Sequence, residues 1–170
     1  MTSGFSWFDF AGHRVARREQ IRPGGVEVGM TDDTALYDLI ATARQGVLAT
    51  LKRDGRPQLS TVTHYFDREE RQLLVSITET RAKTKNMRRD PRVSYHVAAS
   101  NGWSYAVAEG RAALSPVAGS EHDATVEALI DLYRKVGGEH PDWAEYRAAM
   151  VADQRLVLTV RIDRVYGLVR

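Results

Sequence analysis

Apolar and polar positions along this chain change period several times, and each change marks an element. Leu36, Leu39, Ile40 and Ala43 recur at helical spacing, which predicts an amphipathic helix over residues 33–44 capped by Thr31 or Asp32. Strand-like alternation follows in 46–52 (GVLATLK) and 57–66 (PQLSTVTHYF), on either side of Arg53-Asp54-Gly55-Arg56, whose Asp-Gly step is a hairpin signal. Residues 72–79 (QLLVSITE) read as a third strand, and a short basic helix over 82–89 ends at Asp90-Pro91. Two more strands, 92–99 and 103–114, are expected to pair across Ser100-Asn101-Gly102. Gly110 inside the longer strand predicts a bulge or a sharp bend. The helical period returns at Val126, Leu129, Ile130 and Tyr133, giving a helix over 123–136 that stops at Gly137-Gly138. A further short helix begins at Pro141-Asp142-Trp143, with Trp143, Tyr146 and Met150 on one face. Residues 155–162 and 164–169 close the chain as two strands. Strands joined mostly by hairpins favour an antiparallel barrel with its helices packed outside.

Residues 1–29 have no such period. They contain Phe5, Trp7 and Phe8, a basic run from His13 to Arg22, and the linker-like Pro23-Gly24-Gly25. They are expected to form a poorly ordered extension outside a single domain over 30–170, with Met30 an alternative start. Docking of Trp7 and Phe8 on a partner is the functional alternative.

Composition narrows the choice of chemistry. The chain has 170 residues, enough for one core, and no cysteine, which rules out disulfides, thiolate catalysis and cysteine zinc sites. No stretch approaches the roughly 18 apolar residues of a membrane span. A net charge of +2 offers no extended footprint for nucleic acid, and a cytoplasmic location is the expectation. The positive charge is nonetheless local. Six basic side chains (Arg81, Lys83, Lys85, Arg88, Arg89, Arg92) stand against one acid, Asp90, in residues 81–92. Entered from a strand, such a segment suits a phosphate or carboxylate; a solvated helix face is the plain alternative.

Familiar catalytic signals are missing. There is no G-x-G-x-x-G after a strand, no P-loop, no G-x-S-x-G and no H-E-x-x-H. His13, His64, His96, His122 and His140 show no metal-ligand spacing, and His64 and His96 read better as hydrogen-bonded barrel histidines. No side chain is assigned a catalytic role and no metal site is expected. A cofactor would then carry the difficult step, with the fold binding and orienting it. Gln58, Ser60, Val62 and His64 share one strand face that suits the N–H and C=O edges of a heteroaromatic ring. Ser76 and Thr78 lead into Arg81 and Lys83. Trp103 and Tyr105 alternate on a strand and offer either a stacking wall or ordinary core.

GVLATLKRDGRPQLS (46–60), LLVSITE running into RAKTKNMRRDPRVS, GWSYAVAEG, and DLYRKVGGEHPDWAEYRAAM (131–150) carry a resemblance across residues 31–168. The chain resembles the split-barrel flavin/deazaflavin oxidoreductases of the pyridoxamine 5′-phosphate oxidase superfamily. Within it the likeness is to the actinobacterial coenzyme F420-dependent branch, which includes F420-dependent biliverdin reductases. The resemblance implies a split antiparallel β-barrel working as a homodimer. It also implies hydride transfer from reduced F420 to a flat conjugated acceptor such as a biliverdin, quinone or enone. Arg81 and Lys83 would hold the cofactor phosphate, supported by Lys85 and Asn86. Gln58 and Ser60 would meet the ring edge, with Ser76 near the ribityl or phosphate. Trp103 and Tyr105 would approach from the second subunit. Position 61 is Thr where the family commonly carries Asn after the same Gln-Leu-Ser, which changes one contact to the ring. FMN in place of F420, and F420 binding without catalysis, are the competing expectations.

Overall fold

The computed structural model describes residues 33–170. The expectations for residues 1–29 and for a cap at Thr31 or Asp32 fall outside them. The first helix, α1, runs Thr34–Thr42 with Asp33 at its N-cap position. The strands are β1 (Gln45–Leu51), β2 (Pro57–Thr63), β3 (Tyr65–Asp67) and β4 (Gln72–Thr78). The short basic helix α2 (Ala82–Arg89) precedes β5 (Arg92–Ala98) and β6 (Tyr105–Leu114). Two helices, α3 (Ala124–Gly137) and α4 (Trp143–Ala152), lead into β7 (Arg155–Leu168). All seven strands form one antiparallel sheet in the order β2-β1-β5-β6-β7-β4-β3. The sheet curls until β2 meets β4 across a seam that carries no ladder hydrogen bonds. This is the split barrel.

The barrel core is built from alternate strand positions, among them Leu48, Leu73, Val75, Tyr95, Leu158 and Val160, all essentially inaccessible. Each such side chain stabilises the fold by about 1.5–3 kcal/mol relative to exposure. Leu156, Val157 and Leu158 are buried in succession, because β7 packs on both faces. Val157 faces outward onto α3 and α4, against Val126, Leu129, Ile130, Tyr146 and Met150. Both helices are capped by acids: Asp123 accepts from Val126 N, and Asp142 accepts from Ala144 N and Glu145 N. Gly138, at φ +83°, ends α3 in the left-handed region that glycine tolerates.

Three expectations need correction. Residues 57–66 are two strands, because the chain turns a corner at His64 and moves from β1 to β4 as its pairing partner. His64 pins that corner: Nε2 lies 2.9 Å from Ile40 O, and the Tyr95 hydroxyl lies 2.7 Å from Nδ1. The last two strands are one. Asp163 is the extra residue of a bulge between Glu109↔Arg164 and Gly110↔Ile162, where a break between two strands was expected. Gly110 permits it, since a Cβ there would stand 2.1 Å from Arg161 O. Finally, Trp103 belongs to the turn before β6. The Asn101 carboxamide oxygen accepts from Trp103 N at 3.0 Å and Ser104 N at 2.9 Å, taking amides the ladder would need.

Candidate functional site at the barrel seam

The unzipped seam leaves a groove. A cavity of about 860 Å3 opens there, between β2 and the end of β4, with α2 at one end and α3 and α4 as its outer wall. Gln58, Thr61 and Thr63 line the β2 side; Ser76 and Thr78 line the β4 side. Leu129, Leu132, Tyr133, Tyr146 and Met150 supply an apolar and aromatic wall. Such a volume and mixture suits a small organic ligand held by a few polar groups.

The charges at one end are sorted by their partners. Arg88 is paired with Glu79 at 2.5 Å and Arg92 with Asp90 at 2.6 Å, which holds the Asp90 carboxyl down to about 2. Arg89 donates to the carbonyl of Leu51 and to Asn86 Oδ1. Arg81 and Lys83 have no ion pair among the described residues, and both line the cavity. Burial lowers the Lys83 pKa from its ordinary value, and the positive charges of Arg81 and Arg155 push it the same way. An anion in the groove would relieve that repulsion. No side chain caps α2, and of its first amides those of Ala82 and Lys83, two residues that line the cavity, have no acceptor among the described residues, whereas Thr84 N and Lys85 N donate to Arg81 O. The hydroxyls of Ser76 and Thr78 are likewise unpartnered among the described residues.

α2 is held in place from beneath. Thr84 Oγ1 donates to Thr78 O at 2.8 Å. Asn86, buried, donates to Thr50 Oγ1 at 3.1 Å and more weakly to Gln58 Oε1 at 3.5 Å. The Gln58 amide in turn donates to Ser60 Oγ at 2.9 Å. Asn86 and Ser60 therefore hold Gln58, whereas Gln58 itself borders the cavity.

Of the residues singled out in the sequence, the fold brings Gln58, Thr61, Ser76, Arg81 and Lys83 together around one cavity. Ser60 and Asn86 lie directly behind them, and Lys85 is exposed on α2 outside the cavity lining. Trp103, 71% exposed, and Tyr105, which stacks on His96 at 6.0 Å, lie away from it. Sequence reasoning missed Arg155, which the β4–β7 register sets opposite Thr78. It also missed the place of Tyr133 and Tyr146 in the cavity lining, although their helical stripes were visible. These rings sit 5.2 Å apart at 64°, and burial pushes the Tyr146 hydroxyl up while it donates to Leu129 O.

A seven-stranded split antiparallel barrel with a groove along its seam defines the class of protein. The sequence profile described as pyridoxamine 5′-phosphate oxidase matches residues 33–168, and the chain belongs to that family. Solved structures agree on the fold. A protein described as an F420 reductase superposes with a TM-score of 0.58 at 21% identity, covering 76% of this chain and 94% of its own. A putative pyridoxamine 5′-phosphate oxidase from Listeria innocua gives 0.56 at 17%, covering 80% and 97%. A FAD-binding protein from Mesorhizobium loti gives 0.56 at 19%, covering 79% and 90%. Among the described residues no helix is long and apolar enough to cross a membrane.

Proposed function

We propose that the chain is an oxidoreductase that uses reduced coenzyme F420, held in the seam groove, to reduce a flat conjugated acceptor. The observation that carries this reading is the pair of uncommitted cations, Arg81 and Lys83, at a groove end that also offers the Ala82 and Lys83 amides and two hydroxyls. That donor set fits a phosphate monoester or diester, and the fit needs no rearrangement of existing ion pairs. When bound, F420 supplies the hydride, from C5 of its deazaflavin ring. The chain's own residues bind, orient and exclude water. Arg81, Lys83 and the first amides of α2 take the phosphate, with Ser76 and Thr78 beside it. Gln58 and Thr61 border the ring, and Gln58 is kept in one orientation by Asn86, Thr50 and Ser60. The wall of Leu132, Tyr133 and Met150 covers the acceptor and holds it close to the donor, which is the main rate contribution available without an acid–base group.

A second copy of the chain belongs to this reading. The outer face of the sheet exposes Leu59, Tyr105, Tyr166 and Leu168, and the register sets Tyr105 beside Leu168 and Val107 beside Tyr166. A homodimer across this face would bury it and bring Trp103 and Tyr105 toward the partner's groove.

FMN is the second reading, favoured by the FAD-binding relative of the same fold and by a phosphate site indifferent to the ring attached. Titration with oxidised F420 and with FMN separates them, followed by a screen of conjugated acceptors with the reduced form. Tighter F420 binding with acceptor turnover is expected. Tight F420 binding with no turnover of any acceptor would instead describe a carrier, and binding of neither would sink the cofactor assignment.

A further inference from the structure

The groove does not end at Thr63 and Val136. Both residues also line a second cavity, of about 680 Å3, so the two spaces adjoin along β2 and α3. His64, Tyr65 and Phe66 continue the strand side, Lys135 continues the helix side, and Arg44 and Gln45 close the end from beyond α1. Gln58 and Thr63 are five steps apart along β2, roughly 17 Å at about 3.4 Å per residue. The second chamber therefore lies at the end of the groove opposite Arg81 and Lys83.

Its charge is one-sided. No Asp or Glu lines it, and Arg44 and Lys135 have no ion pair among the described residues. Neighbouring acids are engaged elsewhere: Asp38 with Arg68 at 2.5 Å, and Asp131 and Glu139 with Arg134 at 3.8 and 3.1 Å. The Lys135 ammonium stands 4.8 Å from the centroid of the Tyr65 ring, which positions it without neutralising it. His64 is hydrogen-bonded to Ile40 O and Tyr95, and burial lowers its pKa against the opposing effect of the Ile40 carbonyl, so it adds little positive charge to the chamber near neutral pH. The Thr63 hydroxyl and Gln45 amide are unpartnered beside the cations. A forked guanidinium and a point-charge ammonium facing one concave space form a receptor for an anion, and a planar carboxylate suits the fork best.

We propose that this second chamber binds a carboxylate on the acceptor, so that the protein selects flat conjugated acids over their neutral counterparts. The proposal rests on the cofactor occupying the Arg81 end, which leaves the far chamber to the second reactant.

The test is calorimetric titration of the full chain with naphthalene-2-carboxylate and with naphthalene-2-carboxamide, in the presence and absence of F420. The acid is expected to bind about tenfold tighter than the amide. Arg44→Gln and Lys135→Gln, both at exposed positions, should each cut that preference about threefold, and the double variant should remove it, because weakly buried charge pairs contribute modestly. F420 affinity should stay unchanged in these variants, and Arg81→Gln should leave the acid preference intact. Equal binding of acid and amide, or a preference surviving the double variant, would overturn the proposal. So would a loss of F420 affinity in Arg44→Gln or Lys135→Gln, which would give the chamber to the cofactor instead of the acceptor. Failure to bind F420 or FMN, with the acid preference intact, would remove the oxidoreductase reading and leave the carboxylate chamber standing.

Discussion

Cations that already have partners contribute little to ligand binding, and this divides the basic segment residue by residue. Arg81→Ala and Lys83→Ala should each weaken F420 or FMN binding ten- to a hundredfold, since a charge-assisted hydrogen bond contributes about 1.5–3 kcal/mol. Arg88→Ala and Arg92→Ala, which only break surface pairs with Glu79 and Asp90, should change affinity by less than about threefold. Fluorescence or absorbance titration of the cofactor checks both, and added salt should weaken the wild type more than the two sensitive variants. His64 makes a separate prediction about pH. Its pKa is lowered in the fold, chiefly by burial, so the unfolded chain binds more protons there than the native one. The associated stability is complete above the unfolded value near 6.5 and is lost as pH falls below it. A thermal midpoint that declines between about pH 6.5 and 5, before the carboxylates titrate, is the expected outcome; a flat profile in that window would contradict it. The charge cluster itself was legible from sequence. Which members were spoken for was not, because Glu79 and the Leu51 carbonyl reach their arginines through the fold.

At the level of elements, periodicity located every helix and nearly every strand of the described residues, and failed where a local hydrogen bond or a missing side chain overrode it. Asn101 withdrew Trp103 from β6 by taking its amide. At Asp163 a polar residue between apolar runs reads as a break between two strands, yet the strand continues because Gly110 on β6 accepts the crowding of a bulge. Gly110→Ala should therefore destabilise the protein by about 1–3 kcal/mol through overpacking against Arg161 O, lowering the denaturation midpoint without changing the secondary structure seen by circular dichroism. A wild-type midpoint in that variant would mean that the bulge tolerates a Cβ. α2 behaves differently. Its Asn86 is tied to Thr50 and Gln58 on β1 and β2, so Asn86→Ala should loosen Gln58 and the helix together. Reduced ligand affinity is expected there although Asn86 does not line the seam groove, and unchanged affinity would separate the helix mounting from the site.

For the whole molecule, the strand order was legible as a barrel because hairpins dominate, but the registers that assemble the site were not. Arg155 reaches the groove only because β7 pairs with β4 so that it faces Thr78, a contact between residues 77 positions apart that no local pattern encodes. The same applies to the outer face, where Leu59, Tyr105 and Tyr166 become one surface only after five strands align. Light scattering at micromolar concentration is expected to give twice the chain mass, and Tyr166→Glu should shift it to the monomer; a wild-type monomer would remove the shared-groove reading. The seam has a consequence of its own. β2 and β3 are the sheet's two edges, so the amides of β2 that point across the gap lack a ladder partner in the described fold. These amides should trade their hydrogens with deuterated water quickly in the free protein. Occupancy of the groove should slow that exchange, since a molecule bound only by the folded form raises the free energy of opening with its concentration, and the ligand then serves as the rung that would complete the barrel.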